Sequence, residues 1–302
     1  MTIATEFNRT SQFYLHRDRI EQEIARSILC FGEKNKLRDA CEYALKSGGK
    51  RYRPLLVLLV AEALGNGLNV LDAALSVEFF HTASLIVDDL PCMDNEDERR
   101  SQPTVHKIYG EPISLLTSYS LICAAFEKIH HNTIRMKEAE EPFCSEAERV
   151  GALALEQASR SAGILGATGG QFYDLFPPHL SLDSLRGVIY KKTVTLFEVS
   201  FVFGWLFGGG DETRLERVRA CAYHFGMAFQ VADDLGDLDQ DEKNERDINL
   251  AKHIGKERAF LVFEEELKLF KIALMELGLD TPSFKKMVEM LHQLALKNFT
   301  NP

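Results

Sequence analysis

Two aspartate clusters constrain this chain more than anything else in it. Asp88-Asp89-Leu90-Pro91-Cys92-Met93-Asp94 and Asp233-Asp234-Leu235-Gly236-Asp237 stand about 145 residues apart, each following an apolar run, Ser84-Leu85-Ile86-Val87 and Ala228-Phe229-Gln230-Val231-Ala232. Carboxylates embedded in such sequence are costly unless something cationic fills the space between them. If the fold brings the clusters together, three carboxylates on each side make a hard, all-oxygen site suited to Mg²⁺, which usually completes its shell with phosphate oxygens and water.

Helical periodicity carries the two clusters. Leu55-Leu56-Leu58-Leu59-Ala63, Leu75-Phe79-Phe80-Ala83-Ile86, Leu153-Leu155-Ala158 and Phe260-Phe263-Leu267-Phe270 recur near the 3.6 period, and no alternating strand is visible. Breaks fall at Ser47-Gly48-Gly49, Gly65-Asn66-Gly67, Pro142, Pro177-Pro178 and Gly208-Gly209-Gly210, none of them a long linker. The expectation is an all-α fold, a single domain over 1–302, with exposed connections at Arg135 to Glu148 and Leu238 to Arg246. Val194 to Trp205 reads as a buried core helix despite Glu198. The longest uncharged stretch, Pro112 to Phe126, is too short to span a bilayer, and Met1 to Arg9 lacks the pattern of a secretory signal.

A net charge of −10 argues against nucleic acid or an anionic membrane as the general partner. Six scattered cysteines form no C-x-x-C pair, which suits a reducing, cytoplasmic setting.

Asp233 and Asp237 are four apart and share a helix face. Pro91 cannot donate a helical hydrogen bond, so the first cluster should loosen and let Asp94 swing back toward Asp88 and Asp89. Either cluster alone would read as solvated surface; the pair points to metal. Asp237-Leu238-Asp239-Gln240-Asp241 opens like a calcium loop, but Glu242 stands where its sixth position needs glycine and Ile248 where its twelfth needs glutamate. Gly48-Gly49-Lys50-Arg51-Tyr52-Arg53-Pro54 sets three cations after a flexible glycine pair at a helix start, and Arg99-Arg100 and Lys191-Lys192 add two further basic pairs. Glycine permits close backbone approach to an anion and arginine grips two phosphate oxygens at once. The combination points to a diphosphate.

From Ala40 to Lys256 the sequence resembles the trans-isoprenyl diphosphate synthases, or polyprenyl synthetases, and most closely their bacterial and plant geranylgeranyl diphosphate synthases. The resemblance rests on Gly48 to Pro54, the two aspartate motifs, Arg99-Arg100, Gly170-Gln171-Phe172-Tyr173-Asp174-Leu175, Lys192-Thr193 and Phe229-Gln230. It implies a helical bundle around a central cavity, the isoprenoid synthase fold. It further implies three Mg²⁺ ions held by Asp88, Asp89 and Asp94 and by Asp233, Asp234 and Asp237, and a homodimer. Isopentenyl diphosphate would be held by Lys50, Arg53, His81 and Arg100. The allylic partner (dimethylallyl, geranyl or farnesyl diphosphate) would be held by Arg99 and Lys192, with the basic residues Arg246 and Lys256 beyond. The Thr193 hydroxyl and Gln230 amide would stabilise positive charge. Without the resemblance, His81 beside Phe79 and Phe80 would read as a core histidine.

Ala83 and Ser84 lie five and four residues before Asp88, where in this family an aromatic commonly stops growth at fifteen carbons. Both are small, so the expected product is geranylgeranyl diphosphate; a farnesyl product follows if Phe126 or Tyr119 forms a floor deeper down. The chain departs from the family pattern at Val87, Ser101, Ser118-Tyr119, Val194 and Arg246. These departures keep open a weakly active or regulatory subunit, and a class I terpene cyclase shares the first motif but not the second.

Overall fold

The computed structural model describes residues 12–177, 181–238 and 248–300. They form α1 (Gln12–Leu29), α2 (Lys36–Lys46), α3 (Tyr52–Leu64), α4 (Leu71–Asp88), α5 (Val105–Tyr109), α6 (Glu111–Lys137), α7 (Phe143–Ala162), α8 (Ala167–Leu175) and α9 (Leu182–Ile189). A π-helical turn (Tyr190–Val194) leads into α10 (Thr195–Phe207), followed by α11 (Leu215–Asp234), α12 (Leu250–Ile254), α13 (Lys256–Leu277) and α14 (Pro282–Thr300). The fold is all-α, as periodicity predicts. Its one sheet among the described residues is a hairpin of two-residue strands, β1 (Glu98–Arg99) and β2 (Gln102–Pro103), too short to leave any alternation in the sequence.

α10 is the hub. Every residue in it is buried, and α3, α4, α7 and α11 pack around it. Gly204 makes the closest approach possible, because a Cβ there would lie 2.6 Å from the Val57 carbonyl oxygen. Phe197 and Phe201 meet Phe225 of α11 at ring-centroid distances of 5.1 and 5.8 Å. Burying rings of this size supplies much of a core's stability. α4 and α11, the two helices that end in aspartates, are thereby fixed on the same hub.

A second lock holds the start of α4. Asp72 is buried there and is paired with Lys128 (2.9 Å) and Arg135 (2.5 Å) of α6. That pairing corrects one expectation: helix α6 runs on through Arg135 to Lys137, so the connection before α7 is shorter than Arg135 to Glu148. The expected connection at Leu238 to Arg246 lies almost wholly outside the described residues. No helix among the described residues is long and apolar enough to cross a membrane.

The buried carboxyl in α10 carries a pH signature. Burial pushes Glu198 up to about 7, against the opposing effects of Tyr190 and Arg219. A folded-state value above the unfolded one, 4.5, means that the folded protein retains a proton the unfolded chain releases. Glu198 therefore costs stability progressively as pH rises through that window, and the cost stays above it. Glu198→Gln is expected to be more stable than the parent at pH 8, by up to about 3 kcal/mol, with the difference shrinking toward pH 5. Melting temperatures of both proteins across that range check it.

Candidate active site

The first aspartate motif closes on itself. α4 ends at Asp88, and the chain turns through Pro91 until the Asp94 N–H donates to the Asp88 carbonyl (2.9 Å) and the Asn95 N–H to Leu90 (3.0 Å). Asp94 thus returns to Asp88 as expected, with the helix ended at Asp88 and not merely loosened. The two adjacent aspartates then face different surroundings. Asp88 lines a cavity of about 360 Å³, and burial with Asp94 close by pushes its carboxyl up to about 6 despite the opposing Lys192. Asp89 is buried against Arg99, whose Nε lies 2.7 and 2.9 Å from its two oxygens.

Arg99 reaches Asp89 because the hairpin turns tightly. Arg100 and Ser101 sit at φ 56° and 59°, the left-handed pair of a type I′ turn. Ser101 therefore takes a conformation usually given to glycine. The turn lays Arg100 across Gly49, where a Cβ would be 2.8 Å from the guanidinium carbon, and Arg100 donates to the Gly48 carbonyl. The glycine pair and the second basic pair thus meet face to face.

On the same side, Arg53 Nη1 lies 3.3 Å from His81 Nε2. A guanidinium has only donors, so His81 accepts at Nε2. Burial, and then Arg53, Arg100, Arg99 and Arg51, hold His81 well below its ordinary value, so it is neutral. Burial likewise brings Arg53 down to about 10; its guanidinium stacks 4.3 Å over Phe197 and its Nε has no partner. Arg51 plays another part: in a left-handed conformation (φ 54°) it pairs with Glu78 (2.5 Å) and Glu21 (2.8 Å) as a buried strut. Lys50 is exposed, its Nζ 5.8 Å over the Tyr52 ring.

Opposite stands the π turn, a feature that often marks functional sites. Gly170 lets α8 approach it, since a Cβ there would lie 2.3 Å from the Lys192 nitrogen. Lys192 pairs with Asp174; burial alone would depress its ammonium, but Asp174 and Asp88 outweigh that and raise it. Val194, one of the departures from the resembled pattern, packs on Gly226, whose missing Cβ supplies the room.

A hydrogen-bond chain continues from Thr193 Oγ1 to Gln230 Oε1 (2.8 Å), and from Gln230 Nε2 to Asp234 Oδ1 (2.7 Å). Asp234 is buried and also accepts from the Leu250 N–H (2.8 Å), while Asn249 donates to its carbonyl (3.0 Å). Asp233 and Asp237 are exposed and stay in helical register, the Asp237 N–H donating to the Asp233 carbonyl (3.1 Å). Asp233 acts electrostatically on Arg53 and Tyr52, which brings the second cluster up to the first basic motif.

Beneath Asp88 the cavity is lined by Ala83, Ser84 and Val87, then by Phe80, edge-on to Phe126 at 5.2 Å. Ser118 adds a hydrogen bond to the Ala83 carbonyl (3.0 Å). Tyr119 is 62% exposed and does not line the cavity; Phe80, which sequence reasoning passed over, does. Lys256 opens α13, and Arg246 lies outside the described residues. Among the described residues no three His, Cys, Asp or Glu side chains converge as a self-sufficient metal cage.

The two aspartates of the second motif should respond differently to truncation. Asp234→Ala strands the Gln230 amide and the Leu250 N–H, and is expected to cost about 2–3 kcal/mol. Asp233→Ala is expected to change stability by far less. Denaturant unfolding of the two variants checks this.

Comparisons with known proteins place the chain among relatives of one family. A geranylgeranyl pyrophosphate synthase from Capsicum annuum is 39% identical over 229 residues, covering 74% of this chain and 58% of that protein. A heterodimeric geranylgeranyl pyrophosphate synthase large subunit from Arabidopsis thaliana is 38% identical over 233 residues, 75% and 57% of the two chains. The chain thus matches less than two thirds of the length of these relatives. A geranyltranstransferase structure from Thermotoga maritima superposes with a TM-score of 0.76 at 28% identity, covering 96% of this chain and all of that one. A farnesyl and geranylfarnesyl diphosphate synthase from Zymomonas mobilis gives 0.75 at 27%, covering 95% and 99%. The polyprenyl synthetase model matches residues 34–253, most of the sequence, and the chain belongs to that family.

Proposed function

We propose that the protein is a short-chain trans-prenyltransferase that joins isopentenyl diphosphate to allylic diphosphates and makes geranylgeranyl diphosphate. The observation that carries this reading is the division of α4: guanidiniums around a neutral His81 on one side, and an apolar cavity headed by Asp88 on the other. A diphosphate suits the first and a growing hydrocarbon the second.

In this reading Arg53, His81, Arg100 and the exposed Lys50 hold the diphosphate of isopentenyl diphosphate, and Lys192 and Arg99 draw that of the primer toward Asp88. Asp88, Asp94, Asp233 and Asp237 offer the hard oxygen donors that would hold Mg²⁺, three ions by family analogy; the bound metal would offset charge on the departing pyrophosphate. Asp89 and Asp234, engaged by Arg99 and by Gln230 with Leu250, serve to position their neighbours. Arg53 is partly buried, and a substrate that displaced the remaining water would strengthen the charge interactions in the site. Arg246 and Lys256 follow as further diphosphate contacts from the resemblance alone.

Six free cysteines accord with a reducing cytoplasm. Leu115, Leu116 and Tyr119 of α6, all exposed, form an apolar face suited to a homodimer. A farnesyl product is the second reading, favoured by Phe80, which lines the cavity about 12 Å, two turns, below Asp88.

Purified protein given Mg²⁺, isopentenyl diphosphate and each of dimethylallyl, geranyl and farnesyl diphosphate should yield the twenty-carbon product, by chromatography of the dephosphorylated alcohols. Asp88→Ala is expected to reduce turnover by about 100-fold or more. Ala83→Phe should shorten the product; an unchanged product would put the floor elsewhere.

A further inference from the structure

The reaction leaves one buried amide unaccounted for. Gln171 on α8 is only 9% exposed, lines the cavity below Asp88, and has no hydrogen-bond partner for either Nε2 or Oε1. An amide that meets no protein partner at a cavity wall has to be met there by water or by a ligand, or it costs the fold. A cost of this kind at a cavity wall points to an occupant.

The other polar groups near the reacting centre are committed elsewhere. Thr193 donates to Gln230 and Gln230 to Asp234, and neither of the two lines the cavity below Asp88, which Gln171 does. Gln171 neighbours Gly170, the residue that brings α8 against the backbone of Lys192, and so it is held beside the head of the cavity by close packing. Apart from it, Asp88 and Lys192, the cavity wall offers mainly hydrocarbon and hydroxyl groups.

We propose that Gln171 is a catalytic residue whose amide oxygen faces the allylic carbons of the primer and stabilises the positive charge formed there. The inference rests on the chain-elongation reading. In that step the C1–O bond of the primer breaks and its electron pair leaves with the pyrophosphate oxygen. The charge spreads over C1 and C3 of the primer. The alkene terminus of isopentenyl diphosphate then bonds C1, and a proton leaves C2 of that unit to pyrophosphate. Gln171 forms no bond; it acts as a fixed dipole in a dry cavity, oriented before the charge appears.

The test is Gln171→Met, close in length with no amide, together with Gln171→Leu. Both are measured for melting temperature and for steady-state kinetics with geranyl and isopentenyl diphosphates. The proposal expects a melting temperature equal to or above the parent's, kcat lower by about 10- to 100-fold, and an unchanged KM for isopentenyl diphosphate. A raised melting temperature with unchanged kcat would overturn it, because the amide would then be a defect without a use. A lowered melting temperature in both variants would overturn it too, by making Gln171 a structural residue. If the parent protein elongates no primer, the failure belongs to the underlying reading, and the unpartnered amide remains to be explained by another occupant.

Discussion

The buried guanidinium of Arg51 is the interaction on which the site depends. It ties Glu21 of α1 and Glu78 of α4 to the start of α3, and a further donor bond runs to the Leu45 carbonyl at the end of α2. Removing one partner would leave a charge in the core without compensation, a cost of about 3–5 kcal/mol. The geometry follows from that strut. With Arg51 turned inward in a left-handed conformation, Arg53 emerges two residues later against His81, one turn along α4 from Glu78.

What results is a site that is electrostatically incomplete by itself. Arg51 is paired with its two glutamates and Arg99 with Asp89, but Arg53 has a neutral histidine and an aromatic face beside it and no ion pair, with Glu78 and then Asp233 acting on it electrostatically. A half-buried cation without an ion-pair partner favours an anionic ligand, and a diphosphate offers several oxygens to it. The second motif divides its labour: Asp234 is spent on fastening α11 to α12, which fixes where Asp233 and Asp237 project. The two motifs are alike in sequence but differ in how they are held, one by a closed turn, the other by a helix end clamped from below.

Much of this was legible in the sequence. Long 3.6-period runs marked the helices, and the aspartates ending two apolar helices marked α4 and α11, which pack on the same central helix. Ala83 and Ser84 below Asp88 implied a cavity with small walls. The missing parts have physical reasons. A two-residue strand has no period, so the hairpin that carries Arg99 was invisible. Arg51 reads as one more cation in a basic motif, because its left-handed conformation and its distant partners Glu21 and Glu78 are tertiary facts. Asp234 looked equivalent to Asp233, and only the Leu250 N–H distinguishes them. Phe80 was passed over because deciding which aromatic faces the cavity requires the packing of α6 against α4, which also turns Tyr119 outward.

The central claim is that the arginine cradle around Arg53 and His81 is a preformed site for the diphosphate of isopentenyl diphosphate, independent of the aspartate motifs. Calorimetric titration of the metal-free protein with isopentenyl diphosphate tests it most directly, with Arg53→Met alongside. The account predicts saturable binding without Mg²⁺ in the parent and its loss in the variant. Binding that appears only with Mg²⁺, or that survives Arg53→Met unchanged, would contradict it.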